Sequence, residues 1–456
     1  MIPARDGVRL EADATGSVGP PPASVASGFT RTTREDTDAE RRVFAKILRR
    51  LMPLLIVSYV LNYLDRNNIA FAALTMNADI GLTATEFGIG AGMFFVGYCF
   101  FEIPSNLVLY RVGARVWLSR IMISWGLASA ATVLVTGATS FYVLRLLLGA
   151  AEAGFFPGVA FYLSSWFPAE YRTRTIAWFM AAVPISSVVA GPVSGALLEM
   201  NGFLGIAGWK WLFILEGLPI VVLGVVLLFV LADTPEQAAW LSDDERRILR
   251  ARLAAEQKPR EVHRFWAALR DGRVLTLAGV QFGFLVGSYG VGLWLPQILK
   301  LGNLTSLEIG FVSSASYVLA TVAMVGWGSY VSRNGHTIAN LALACVLAAI
   351  GFAGAVAFQS TFWISVAALT LALIGINAAR GLFWSIPPRF LTGLGAAGGL
   401  AFINSVGTTG GFVGPSIMGW LTDYTGSFSA GLFALSGFLM LAAALAWSLR
   451  LFAPTE

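Results

Sequence analysis

Apolar residues form long runs along most of the chain, and each run is long enough to cross a bilayer. A spanning helix needs about 20 mainly apolar residues, because the hydrocarbon core is about 30 Å thick and a helix rises about 1.5 Å per residue. The pattern therefore predicts twelve membrane-spanning helices. Their expected bounds are 52–74, 87–110, 116–136, 140–166, 173–199, 210–232, 273–299, 309–331, 339–358, 362–386, 396–421 and 428–450.

Two longer polar stretches interrupt this pattern. Residues 1–42 are polar, rich in small residues, and lack the apolar centre of a signal peptide, so we expect a disordered cytoplasmic tail. Residues 233–272 separate the sixth and seventh runs and form a predicted cytoplasmic linker. In the linker, Glu245 follows Ser242 by three residues, which is typical of a helix-capping box and predicts a short helix.

The linker divides the chain into two parts, 43–232 and 273–456, each with six predicted spans. Two motif pairs recur at offsets of 222 and 223 residues: Arg111-x-Gly113 with Arg333-x-Gly335, and Gly191–Pro192 with Gly414–Pro415. Because two unrelated motifs share nearly the same offset, we expect two repeated six-helix halves. An all-α polytopic membrane protein of this design has the major facilitator fold, in which the halves rock around a central site.

Composition supports the membrane assignment, since 56% of residues are apolar and only 12% are charged. The formal net charge of +5 follows from the placement of the basic residues. If both termini are cytoplasmic, most Lys and Arg lie at cytoplasmic ends of the helices, as the positive-inside rule requires. We therefore expect the inner membrane of a bacterium, with a lipid bilayer and no nucleic acid as partner.

Several enzyme classes lack their sequence signatures here. The chain contains no Walker A loop, no G-x-S-x-G and no H-E-x-x-H motif, so neither ATP hydrolysis nor membrane hydrolase chemistry is indicated. Two His and two Cys leave little for a metal site. We expect no cofactor and no enzyme activity, and transport driven by an ion gradient remains.

Four charged residues fall deep within predicted spans: Asp65 and Arg66 in the first, Arg145 and Glu152 in the fourth. Each costs about 2.5–3.5 kcal/mol at a helix centre, so it needs a partner or a wet cavity. One interpretation is a structural ion-pair network between the two helices. In the other, Arg66 or Arg145 binds an anion through paired hydrogen bonds, while Asp65 and Glu152 exchange protons.

Other polar side chains could line the same cavity, although each alone is more typical of helix packing. These candidates are Tyr63, Tyr98, Gln281, Tyr289, Asn377, Arg380 and Asn404. Trp384 alone is more typical of packing, and Glu102 and Glu216, nearer helix ends, are expected to have structural roles.

Seven segments together resemble the anion:cation symporter family of the major facilitator superfamily. They are NYLDRNNIAFA, FFxxYxxFEIPSN, RxGARxW, RLLLGAAEAGFFPG, WLFILEGLP, DTPEQAAWLSDDER and AFINSVGTTGGFVGP. Members take up organic anions such as tartrate, phthalate, galactonate, 4-hydroxyphenylacetate and nicotinate together with protons.

The resemblance implies roles for individual residues. Asp65 and Glu152 would be protonation sites, Arg66 would hold the substrate carboxylate, and Arg145 would pair with the acids and shape the site. The residues that would line the cavity are Tyr63, Tyr98, Gln281, Trp384 and Asn404.

One segment departs from the sugar-acid carriers of that family, which have small hydroxyl residues before the position of Trp384. Here the segment reads NAARGLFWSIPPRF and includes Arg380. The extra cation favours a substrate with a second anionic group, or an aromatic acid, over a polyol acid. Alternatively, Arg380 points toward a neighbouring helix.

The sequence as a whole favours a monomeric, proton-coupled importer of a small organic carboxylate. An anion exchanger or efflux pump of the same fold is an alternative. A membrane sensor that binds its ligand without moving it is a further one.

Overall fold

The computed structural model describes residues 34–254, 271–387 and 393–451, and these residues are helical with short turns and no strand. The helices, numbered along the chain, are α1 (Arg34–Asp79), α2 (Ala84–Val112), α3 (Ala114–Ala130), α4 (Ala138–Glu152), α5 (Phe155–Trp166), α6 (Ala169–Met180), α7 (Ala182–Leu198), α8 (Gly208–Val230), α9 (Asp243–Ala254), α10 (Gly272–Lys300), α11 (Ser306–Asn334), α12 (Thr337–Ala357), α13 (Phe362–Phe383), α14 (Gly393–Thr425) and α15 (Phe428–Ser448).

Ten stretches of the described chain are long and apolar enough to cross a membrane. Two of them join neighbouring helices, α4 with α5 and α6 with α7. The long helices α1 and α14 lie where the first and eleventh spans are predicted. Every predicted span thus falls on a helix or a pair of consecutive helices, although α1 begins well before the first span, and the prediction of an all-α polytopic membrane protein is confirmed.

The outer surface of the helix assembly carries large apolar side chains that protein does not cover. Phe100, Tyr110, Phe229 and Val322 are among the most exposed of them. An exposed apolar surface of this extent suits contact with lipid and would not suit water.

The two halves meet at the end of the molecule opposite the linker. Asp423 at the end of α14 accepts hydrogen bonds from the backbone N–H groups of Ala84 (3.1 Å) and Thr85 (2.7 Å) at the start of α2. Lys300 at the end of α10 donates to the carbonyl of Leu74 on α1. These contacts close the passage between the halves at that end.

A pair of glycines allows the halves to pack closely at one of their crossings. A Cβ atom at Gly191 on α7 would collide with the carbonyl oxygen of Gly310 on α11, and the reverse holds for Gly310. Small residues at such crossings let helix backbones approach in lipid. The Gly-Pro motif singled out as part of the repeat therefore has a packing role.

The linker helix α9 packs against the start of α1. The predicted capping box is confirmed: Glu245 accepts from the N–H of Ser242 (2.8 Å), and Ser242 Oγ accepts from the N–H of Glu245 (3.3 Å). Glu245 also pairs with Lys46 of α1 at 2.7 Å.

The expected tail boundary at residue 42 differs from the structure, because α1 begins at Arg34. Its first turns are held by the linker, since Glu40 pairs with Arg252 of α9 at 2.9 Å. Residues 1–33 of the expected tail and 255–270 of the expected linker lie outside the described residues.

Candidate functional site

A buried ion pair joins α1 to the end of α4. Arg66 Nε donates to Glu152 Oε1 at 2.5 Å, and Arg66 Nη2 lies at the same distance from that oxygen. Asn62, one helical turn before Arg66, donates to the same oxygen at 2.8 Å. The side chain of Glu152 is fully buried, whereas that of Arg66 is 17% exposed. The other carboxylate oxygen of Glu152, Oε2, has no hydrogen-bond partner among the described residues.

An interruption between helices α4 and α5 sets the position of Glu152. α4 ends at Glu152, and Gly154 then adopts φ +88° before α5 begins at Phe155. Glycine tolerates this left-handed conformation, and its Cβ-free backbone also packs against Ser105. Because the end of a helix carries partial negative charge, the Glu152 carboxylate depends on Arg66 for its stabilisation.

Aromatic rings surround the Arg66 guanidinium. Its central carbon lies 5.3 Å from the ring centroid of Tyr63, 5.3 Å from that of Phe94 and 5.0 Å from that of Tyr98. Ring faces attract a cation without neutralising it, so the guanidinium keeps its capacity to bind an anion. Tyr63 and Tyr98, which were expected to line the cavity, thus lie beside Arg66.

Asp65 faces a different part of the molecule, because consecutive helical residues project about 100° apart. It accepts hydrogen bonds from Trp125 Nε1 (2.7 Å), from the hydroxyl of Ser129 and from Asn68 Nδ2 (2.8 Å). Only 1% of Asp65 is exposed. In the described part of the chain, no basic nitrogen lies within 4.0 Å of this carboxylate, so its hydrogen-bond donors are all neutral, and Arg145 is its more distant cationic neighbour.

The implied pairing of Arg145 with the acids is not present in this conformation. Among the described residues, no carboxylate oxygen lies within 4.0 Å of Arg145; its Nη2 is 3.5 Å from the carbonyl oxygen of Ala91, and its Nε has no partner. The reason is geometric. Arg145 precedes Glu152 by two helical turns, about 10 Å along α4. Glu152 is already paired with Arg66, and Asp65 already accepts hydrogen bonds from three neutral side chains.

Residues of the second half complete the surroundings of the ion pair. The ring of Tyr289 on α10 lies 4.3 Å from that of Phe95 on α2, and Tyr289 has both Arg66 and Arg380 as electrostatic neighbours. Arg380 Nη2 donates to Ser288 Oγ at 2.6 Å. Tyr289 thus lies near a cation of each half.

The remaining candidates are less closely connected to the pair. Gln281 is buried and has a long 3.5 Å contact with Asn404 Oδ1, which joins α10 to α14. Asn377 donates to the carbonyl of Leu373 in its own helix. Trp384 is 41% exposed and packs edge-on against Phe383, so its predicted place in the cavity is not evident in this conformation.

Sequence reasoning missed the residues that hold the two acids. Trp125 and Ser129 lie in an apolar run without charge, and only the packing of α3 against α1 shows their role. A signal for Asn62 and Asn68 was available. Asn62 precedes Arg66 by four residues and Asn68 follows Asp65 by three, so each shares a helix face with its charged neighbour. In the described ranges, no group of three or more His, Cys, Asp or Glu residues is placed to hold a metal ion.

The chain is similar to known transport proteins over most of its length. Residues 55–403 match the model of the Major Facilitator Superfamily. A "Putative tartrate transporter" of Agrobacterium vitis is 51% identical over 410 residues, which cover 90% of this chain and 94% of the relative. The "Putative metabolite transport protein NicT" of Pseudomonas putida is 40% identical and covers 90% of this chain and 95% of its own length.

Solved structures share the fold at low sequence identity. A bacterial homologue of the human lysosomal transporter Spinster, in an inward-facing and occupied conformation, superposes with a TM-score of 0.72 at 17% identity, over 89% of this chain and 97% of that one. A D-xylose–proton symporter gives a TM-score of 0.69 at 13% identity, over 87% and 97%.

These findings confirm the major facilitator fold. The protein is an integral, multi-pass membrane transporter and not an enzyme, as its relatives are named transporters. The chain therefore belongs to the Major Facilitator Superfamily, and its predicted resemblance to the organic-anion permeases of that superfamily is confirmed.

Proposed function

We propose that the protein takes up a small organic carboxylate together with protons by alternating access. The observation that carries this proposal is the pair of Arg66 and Glu152, in which the Arg66 side chain is 17% exposed and the Glu152 side chain is fully buried. Arg66 is thus the group that a dissolved anion reaches first. Glu152 already occupies the position that a substrate carboxylate would take.

Competition for one guanidinium couples proton to substrate. While Glu152 is ionised, it holds Arg66 through charge-assisted hydrogen bonds. A proton on Glu152 removes that charge and frees the planar donors of Arg66 for the substrate carboxylate. Binding of the substrate in turn removes the cation that favoured the ionised form of Glu152, so the proton is retained. Each ligand therefore promotes the binding of the other, as linkage requires.

Asp65 provides a second proton-exchanging group in this scheme. Its hydrogen-bond donors are neutral side chains and do not include Arg66, so adding a proton there does not release Arg66. We assign to Asp65 a role in proton coupling that is separate from substrate binding. Arg145 is buried, has no carboxylate oxygen within 4.0 Å among the described residues, and keeps a positive potential near both acids.

A small dicarboxylate is the substrate class that the site supports best. Arg66 in the first half and Arg380 in the second both lie near Tyr289, so each could hold one end of a dianion. Tartrate, which appears in the names of two relatives at 51% and 50% identity, has two carboxylates separated by two hydroxyl-bearing carbons. Polar side chains near the pair, such as Tyr289, Gln281 and Asn404, would accept or donate to those hydroxyls.

Orientation and setting complete the proposal. We place both termini and the linker in the cytoplasm of a bacterium, because basic residues concentrate at that end of the helices. The contacts of Asp423 and Lys300 then close the outer side, and the site faces inward. A monomer suffices, since the pair and its neighbours come from one chain.

Uptake into vesicles that contain the purified protein tests the proposal. An inward proton gradient should accumulate labelled tartrate, and a protonophore should abolish the accumulation but leave exchange of internal for external tartrate intact. Accumulation that is indifferent to the gradient and the protonophore would contradict proton symport.

Export is a second candidate, because a "Quinolone resistance transporter" of Acinetobacter baumannii is 39% identical over 88% of this chain and 94% of its own length. The same vesicles decide between the two directions. A proton-coupled exporter would release a preloaded quinolone from the vesicles in exchange for protons that enter them. Tartrate would not compete with the quinolone.

A further inference from the structure

A third buried carboxyl group lies close to Asp65 and has no place in the scheme above. Glu216 on α8 is only 3% exposed, although its position near a helix end led us to expect a purely structural role. One of its oxygens accepts from Ser194 Oγ on α7 at 3.0 Å. The other, Oε2, has no hydrogen-bond partner in the part of the chain that the structure describes.

Within the described ranges, no basic nitrogen lies within 4.0 Å of Glu216, and the titratable group that faces it there is Asp65 on α1, another acid. α7 contributes the Ser194 hydroxyl, the adjoining part of α3 contributes Gly126 and Ala130 against Gly217, and the turn at 131–134 has no ionisable side chain. A charged carboxylate buried without a cation or a full set of donors is strongly disfavoured.

A shared neighbour connects the two acids. The amide nitrogen of Asn68 donates to Asp65 Oδ1 at 2.8 Å, and the same amide group is a hydrogen-bonding neighbour of Glu216. The amide oxygen of Asn68 is buried and also lacks a donor. Two orphan acceptors, Glu216 Oε2 and Asn68 Oδ1, therefore lie in the same small region.

A single proton could serve both. On Glu216 Oε2 it would remove the uncompensated charge and would supply a donor for Asn68 Oδ1. The amide nitrogen of Asn68 would then be fixed in the direction of Asp65. Asp65 accepts hydrogen bonds from three side chains and can stay ionised, whereas one oxygen of Glu216 has no donor in the described chain, so the two environments favour different protonation states for the two acids.

We propose that Glu216 carries a proton throughout the transport cycle and, through Asn68, holds Asp65 in the geometry in which it exchanges its own proton. Glu216 is thus a positioning residue, and it does not touch the substrate. The part of this inference that concerns Asp65 rests on the proposed proton coupling; the protonation of Glu216 does not.

Infrared spectroscopy of the purified protein tests the protonation state directly. The spectrum of the wild type minus that of Glu216→Gln should show the carbonyl band of a protonated carboxyl group at mildly acidic and at mildly alkaline pH. Asp65→Asn should leave that band in place. A carboxylate band at either pH would overturn the proposal, whether or not transport is coupled to protons.

Transport against pH tests the link to Asp65. Glu216→Gln, which keeps a neutral donor and the shape of the acid, should retain the pH profile of uptake. Glu216→Met removes the donor, so Asn68 no longer favours ionised Asp65 and the profile should move to higher pH by about one unit. Asn68→Ala should give a similar shift, and the double variant should shift no further.

The outcomes separate the two proposals. Additive shifts, or an unchanged profile in Glu216→Met, would overturn the positioning role. Uptake by the wild type that does not depend on a proton gradient would overturn the proposed function and the link to Asp65 with it, while the infrared result would still decide whether Glu216 is protonated.

Discussion

Asp65 and Glu152 are both carboxyl groups buried in mid-membrane, yet they are stabilised in opposite ways. Glu152 shares a 2.5 Å contact with the partly exposed cation Arg66, whereas Asp65 is enclosed by Trp125, Ser129 and Asn68. Under the proposed function, a substrate anion can take the place of Glu152 at Arg66, because Arg66 is partly exposed. Asp65 is enclosed and hydrogen-bonds to neutral side chains that do not include Arg66, so we assign proton exchange to it and not competition with substrate.

Replacing Arg66 should have the largest effect. Arg66→Lys keeps a positive charge but loses the planar pair of donors, so it should weaken substrate binding strongly. Arg66→Ala should cost about 2–5 kcal/mol of binding free energy, and it also leaves Glu152 buried without a cation. Calorimetric titration measures the substrate affinity of both variants. Substrate affinity in Arg66→Lys equal to that of the wild type would count against Arg66 as the anion-binding group.

Asp65→Asn should separate binding from coupling. The amide keeps the size of the side chain but cannot carry a proton in exchange, so gradient-driven uptake should be lost. Because Asp65 does not touch Arg66, the dissociation constant of the substrate should change by less than about tenfold, which is about 1.4 kcal/mol of binding free energy. Full accumulation in this variant would remove Asp65 from the coupling mechanism, and a lost substrate affinity would contradict its separation from the anion site.

Arg380 extends the comparison to the second half of the molecule. If it holds the second carboxylate of a dianion, Arg380→Ala should weaken binding of tartrate more than binding of a matching monocarboxylate such as glycerate. We expect about 1.5–3 kcal/mol for the dianion, the worth of a hydrogen bond to a charged group. Ser288→Ala, which removes only the partner of Arg380, serves as a control. Equal losses for both ligands would show that Arg380 supports the structure instead.

The smallest effect should come from an exposed ion pair, which supplies the reference for the buried one. Glu245 in the linker is a capping residue and the partner of Lys46. Partial burial acts to raise the pKa of Glu245, but the hydrogen bonds from Lys46 and Ser242 outweigh it, and the pKa is lowered.

A lowered pKa in the folded state means that the contribution to stability is present at neutral pH and lost as the pH falls through that pKa. Since the Lys46 side chain is 44% exposed, solvent screening limits the contribution to about 0–1 kcal/mol. Thermal unfolding of Glu245→Gln should therefore differ slightly from the wild type at neutral pH and not at acidic pH. A destabilisation that grows on acidification would contradict this sign.

The sequence was sufficient for the helices, because apolar runs of spanning length have few other solutions in lipid. It also identified Arg66 and Glu152, since charges so deep in a membrane need partners. The choice of partner was beyond it. Arg145 was expected beside the acids, yet in the described residues no carboxylate oxygen lies within 4.0 Å of it. Arg145 lies two turns away from Glu152 along α4, and Glu152 is already paired with Arg66.

Two other features lay outside the reach of sequence reasoning for similar reasons. Trp125 and Ser129 become ligands of Asp65 only through the packing of α3 against α1. The break after Glu152 depends on the left-handed conformation of Gly154, which a run of small residues does not reveal. Residues that act through a neighbour, such as Glu216, likewise become visible only when unpartnered buried atoms are considered together.

The central claim is that Glu152 and the substrate compete for Arg66. Its most direct test is the dissociation constant of tartrate measured across pH for the wild type and for Glu152→Gln. The wild type should bind more weakly as the pH rises, because ionised Glu152 recaptures Arg66. Glu152→Gln, which has no charge to compete, should bind tightly and independently of pH. The same pH dependence in both proteins would contradict the account.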